Sequence, residues 1–187
     1  MEIQPKKEYV AEDDTKESVE HLIERRVPWL FVGLLGGILA TLIISKYEAI
    51  LSADVRLAFF IPVIVYLSDA VGTQTETIYV RALTFKKTRF WTYIFKESVV
   101  GVGLGIIFGL ILAVFAAYWL KSSAIGFVIG LTFLINLSLA PILAVIIPSV
   151  LYKRHSDPAL GSGPVATIIQ DLISLLVYFT VVSIIIF

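Results

Sequence analysis

The chain has 187 residues, 58% of them hydrophobic and only 16% charged, with no cysteine and a formal net charge of +0. At a mean hydropathy of +0.90, it has too little polar surface for a soluble enzyme, a nucleic-acid-binding domain or a disordered chain, and no thiol for disulfides or thiolate metal sites. Five helical spans of about 20 residues each would account for most of the apolar content, which points to an all-α protein embedded in a lipid bilayer.

Residues 1–27 form the one polar stretch, with eight acidic residues between Glu2 and Glu24. The order of charge and apolar residues is wrong for a signal peptide. Val19, Leu22, Ile23 and Val27 recur at helical spacing, which predicts a short amphipathic helix lying at the membrane interface. A frayed tail is the alternative. Residues 28–187 make up the membrane domain. The first span is expected from about Pro28 to Ser45, with Pro28 suited to a helix start. The second covers about Val55 to Leu83, interrupted by Pro62. The third runs from about Tyr93 to Trp119, and the fourth from about Ala124 to Tyr152, with Pro141 and Pro148 inside. Residues Ser156 to Gly163 have a turn composition, and the fifth span is expected to open at Pro164 and end at Phe187.

Five spans place the termini on opposite sides. With the N-terminus inside, 12 of the 15 lysines and arginines fall on the cytosolic side, leaving Lys46, Arg56 and Lys121 outside. The positive-inside rule therefore gives an N-in, C-out topology, in a multi-pass protein of the cell membrane.

Ionisable groups at membrane depth are costly and mark function unless they face protein or water. Asp171 lies seven residues beyond Pro164, about 10 Å along a helix, too deep for a short side chain to reach the surface. It reads as an ion-pathway residue, or else as a carboxyl bonded to a neighbouring helix. Asp69, Thr73, Glu76 and Val80 share one face of the second span, a stripe of oxygens that could line a wet path or join helices. Glu76 lies nearer the cytosol. Oxygen ligands, with His21 and His155 outside the spans, suit a hard cation rather than a transition metal. Magnesium keeps several waters and binds through one or two carboxylates, so a two-fold dimer would bring two copies of Asp171 to one ion. Gly101, Gly105 and Gly109 form a repeated GxxxG, with single copies at Gly33/Gly37 and Gly126/Gly130; these permit close helix packing. The Gly72 backbone and the Gly161–Gly163 turn offer carbonyls to a path. No nucleophile–base pair or phosphate-binding loop is present, and an Asp69–Asp171 hydrolytic pair has only its residue types in favour. The chain is not expected to be an enzyme.

Three stretches together resemble the transmembrane domain of the MgtE family of magnesium transporters and channels, related to solute carrier family 41. They are Arg26-Val27-Pro28-Trp29-Leu30 with Gly36-Gly37; Pro62 with Asp69 to Thr75 and Tyr79 to Leu83; and Asn136, Pro148, Asp157-Pro158-Ala159, Ser162-Gly163-Pro164 and Asp171. The resemblance covers residues 24–187. It implies a five-helix subunit that dimerises, with an Mg2+ path between subunits lined by spans two and five. It also implies hydrated Mg2+ at Asp171, helped by backbone carbonyls near Thr167, with Asn136 and the Asp157 turn close to the path; Asn136 reads equally as interhelical glue. Two departures stand out. The bacterial channels sense Mg2+ through large cytosolic N-terminal and CBS domains, for which 27 residues leave no room, so gating is expected to be absent or supplied by a separate soluble regulator. The family's Gly-Asn pair is replaced by Asp69-Ala70, which suggests coupling to Na+ or H+ through Asp69, with or without Glu76. A non-transporting membrane scaffold with structural buried carboxylates is the alternative from another class.

Overall fold

A computed structural model describes residues 18–83, 89–153 and 158–187. The acidic tail up to residue 17, the basic residues between the second and third spans at 84–88, and the Ser156-Asp157 part of the turn lie outside the described residues. Every described element is helical. In chain order these are α1 (Val19–Lys46), α2 (Glu48–Ala53), a 3-10 segment (Val55–Phe60), α3 (Ile61–Leu83), α4 (Phe90–Leu120), α5 (Ser123–Lys153) and α6 (Pro158–Ile185). Five stretches are long and apolar enough to cross a membrane: Val19–Lys46, Val55–Leu83, Phe90–Leu120, Ser123–Leu151 and Gly163–Ile185.

Two boundaries differ from the sequence reading. Pro28 lies inside α1 rather than at its start. The helix begins at Val19 because the Ser18 hydroxyl accepts from the His21 N–H at 3.3 Å, a side-chain N-cap. The amphipathic stretch is therefore continuous with the first span. Likewise α6 starts at Pro158, so residues 158–163 are helical and Pro164 is internal. Proline at a first helical position forfeits no bond, and membrane helices tolerate internal glycine and proline.

α5 packs against α3, α4 and α6, while α6 packs against α1, α3 and α5. These two helices form the centre, with α1 and α4 at the flanks. Phe133 and Leu137 of α5, Tyr178 and Phe179 of α6, and Leu57 and Ile64 from the second span fill the fully buried core. The α4–α5 contact depends on glycine. A Cβ at Gly101 would stand 2.5 Å from the Leu137 carbonyl oxygen, and one at Gly105 would stand 2.9 Å from that of Leu134. Leu137 is four residues before Pro141, which has no N–H to return to it. Gly101 brings α4 onto a carbonyl that α5 leaves without its helical donor, an approach that suits a weak Cα–H···O contact.

The end of the bundle near residue 54 is closed by specific bonds. Asp54 caps the 3-10 segment through the Arg56 N–H at 3.0 Å and grips the Arg56 guanidinium at 2.8 and 2.6 Å. The same guanidinium donates to the carbonyl of Leu120, the last residue of α4, at 3.3 Å. Tyr178 donates to the Leu57 carbonyl at 2.7 Å, and Tyr47 stacks on Phe179 with centroids 4.2 Å apart.

Candidate functional site

Asp171 sits midway along α6, and Thr167 is one helical turn before it, so both lie on one face. That face meets α1, where Gly36 is buried against Ile168 and has no room for a side chain. Beside this contact a groove of about 340 Å3 opens, lined by Trp29, Leu30, Gly33, Gly37, Thr167 and Asp171 among others. Among the described residues the Gly33/Gly37 pair serves no packing: a Cβ at either would meet nothing within 4 Å. Their bare backbone forms the wall of the groove opposite Asp171.

Asp171 is half-buried, and its Oδ1 is shielded and, among the described residues, without a hydrogen-bond partner. Asp69 on α3 is near enough for its charge to act on Asp171. Among the described residues no lysine or arginine is paired with either carboxylate. Two neighbouring negative charges at membrane depth, without a basic partner, make a location that favours a cation.

Asp69 and Glu76 line a separate, narrow gap of about 10 Å3 between α3, α5 and α6, together with Gly72, Thr73, Ala144, Gln170 and three small or apolar neighbours. The seven-residue spacing of the two carboxylates is two helical turns, which explains their shared face. The structure thus brings Thr167 together with Asp171, and Asp69 together with Glu76, with α6 between the two spaces. Asn136 borders neither. It is fully buried on α5, and its amide donates to the Ser174 carbonyl of α6 at 3.3 Å. Asp157 lies outside the described residues. Among the described residues, no group of three or more His, Cys, Asp or Glu side chains could enclose a metal ion. One or two carboxylates facing an open groove fit an ion that retains its water.

Several polar residues were missed in the sequence. Gln170 and Ser174 are buried on the α5-facing side of α6, and the Gln170 amide nitrogen lies 3.3 Å from the Ser174 hydroxyl. Their four-residue spacing is the signal the sequence offers, one helical turn along the same face. Glu97 was also overlooked. It accepts a 2.8 Å bond from Thr75, tying α3 to α4 one residue before Glu76. Near it, the buried Tyr79 is 2.7 Å from the Ser149 hydroxyl and packs on Tyr93 at 4.9 Å.

A family model described as a divalent cation transporter, MgtE, matches residues 61–181. The magnesium transporter MgtE of Bacillus subtilis (strain 168) is 32% identical over 162 residues, covering 85% of this chain and 36% of its own. The protein of that name from Enterococcus faecalis is 32% identical over 174 residues, with 91% and 38% covered. The one from Thermus thermophilus is 31% identical over 159 residues, with 83% and 35% covered. The chain spans little more than a third of the length of these curated relatives.

Proposed function

The chain belongs to the MgtE family of divalent cation transporters, and from that premise we propose that it carries hydrated Mg2+ across a membrane along the Asp171 face of α6. The observation that carries this reading is Asp171 itself: a carboxylate within a spanning helix, with an unpartnered oxygen, at the edge of a groove. The groove volume of about 340 Å3 is many times the roughly 10–15 Å3 that admits a single water, so an ion there can keep its hydration shell. Mg2+ dehydrates reluctantly, so a wide, half-wet groove suits it better than a close-fitting cage.

One Asp171 neutralises half of a divalent charge. In the proposed assembly two subunits meet around a two-fold axis, so that both copies of Asp171 face one path and the α1 wall with Gly33 and Gly37 contributes to its lining. The N-terminus is cytosolic and the C-terminus outside, in keeping with the distribution of lysine and arginine. Asp69, with Glu76, supplies coupling to a Na+ or H+ gradient through the neighbouring gap. A soluble partner on the cytosolic side would regulate the path. The chain's work is transport rather than catalysis.

Mg2+ uptake into liposomes containing the purified protein, with a Na+ or H+ gradient imposed and then removed, tests this reading. Uptake that rises with one of these gradients at constant Mg2+ gradient and voltage is expected. Uptake indifferent to both would remove the coupling, and no uptake by a folded dimer would remove the transport.

A further inference from the structure

The narrow gap between α3, α5 and α6 differs in kind from the Asp171 groove. At about 10 Å3 it has room for about one water-sized particle, too little for the six waters of a hydrated divalent ion. Its polar groups are dominated by acceptors. Asp69 brings a carboxylate that, among the described residues, no basic side chain neutralises. Gln170 is buried, and its Oε1 has no partner, because the amide nitrogen is the atom turned toward Ser174. Ala144 also lines the gap. Residue 148, four positions on, is proline, so the N–H that would close the helical bond to Ala144 does not exist.

We propose that this gap is a binding site for one dehydrated monovalent cation, held by the Asp69 carboxylate, the Gln170 Oε1 and the Ala144 carbonyl. A single water has two hydrogens to give and would leave one of these three acceptors unserved. A cation serves all of them and also offsets the charge that makes a carboxylate costly at membrane depth. Neutral carbonyl and amide oxygens replace the hydration shell of a monovalent ion, whereas Mg2+ demands near-ideal octahedral geometry and gives up water reluctantly. The physiological role of the site rests on the coupling reading above; the binding itself does not.

The test uses the full chain in Mg2+-free detergent, with NaCl as the probe and choline chloride at equal ionic strength as the reference. Pro148→Ala returns an N–H to the Ala144 carbonyl while favouring the helix, and Gln170→Leu removes the amide oxygen at similar volume. The expected result is saturable thermal stabilisation by Na+ over choline, with the apparent affinity weakened about tenfold in each variant. Equal stabilisation by Na+ and choline, or wild-type affinity in folded Pro148→Ala and Gln170→Leu proteins, would overturn the proposal and leave the gap to an ordered water. Mg2+ uptake in the same preparations is read separately. Na+ binding without Mg2+ uptake supports the site and contradicts the transport reading; Mg2+ uptake without Na+ binding does the reverse.

Discussion

Asp171 and Asp54 are both acidic, but their surroundings differ: Arg56 binds one, and the other keeps an oxygen without a donor among the described residues. Asp54 sits just before the second span, and hydrogen bonds from Arg56 hold its carboxyl below the usual range, against the opposing effect of burial. A carboxyl with a lowered folded-state pKa stabilises the fold above its ordinary value of 3.8 and loses that contribution as the pH falls through the lowered value. Arg56→Gln should therefore lower the melting temperature at pH 7, and the difference from wild type should shrink as the pH drops below 3.8; thermal melts in detergent at several pH values would read this. A difference that persists undiminished at acidic pH would show that Arg56 acts through its bond to the Leu120 carbonyl alone. Asp171, by contrast, keeps an oxygen with no donor among the described residues, which is why the proposed function assigns it to the ion.

At the scale of helices, the α4–α5 interface has the least tolerance. Gly105 and Gly101 each leave a space that a single Cβ would overfill against backbone atoms of α5. Gly105→Val should destabilise the folded protein by about 1–3 kcal/mol, measurable by unfolding in mixed micelles, whereas Gly37→Ala, with nothing within 4 Å, should leave the subunit's stability unchanged. All three glycines belong to GxxxG motifs, and the sequence alone does not separate them. Apolar runs, proline positions and charge made the existence of all five spans legible, because length and hydropathy are properties of a helix by itself, but α1 starts nine residues before Pro28 and α6 six before Pro164. Which face of an almost uniformly apolar helix meets protein is a property of pairs. That is why Gln170 and Ser174 escaped notice and why the open position of Gly33 and Gly37 was not foreseen. Asp69 and Asp171 could be singled out because charge in a membrane is conspicuous without any partner. The start of α6 at Pro158 was hidden for a different reason: glycine, serine and proline signal a turn in water but are admitted to helices in lipid.

For the molecule as a whole, the five spans imply a fixed relation between its two faces. The absence of native cysteine makes this simple to read. A cysteine at Lys121, in the exposed turn between α4 and α5, should react with a membrane-impermeant thiol reagent applied outside intact cells. A cysteine at Arg89, at the other end of α4, should react only after the membrane is opened. The reverse pattern would invert the topology. The central α5–α6 pair, with α1 bound almost solely to α6, leaves the Asp171 groove at the edge of the subunit rather than in its core. In the proposed assembly a second copy completes a path there, and on that reading the functional unit should have twice the 20.7 kDa mass of one chain.

The most direct test is Mg2+ uptake into liposomes by wild-type protein beside Asp171→Asn, a change that keeps shape and removes charge. Loss of at least about tenfold in rate, or 1.4 kcal/mol, in a variant with unaltered melting temperature and dimer mass would place the carboxylate on the ion path. Equal uptake by the two proteins would contradict that assignment and move the path away from this face of α6.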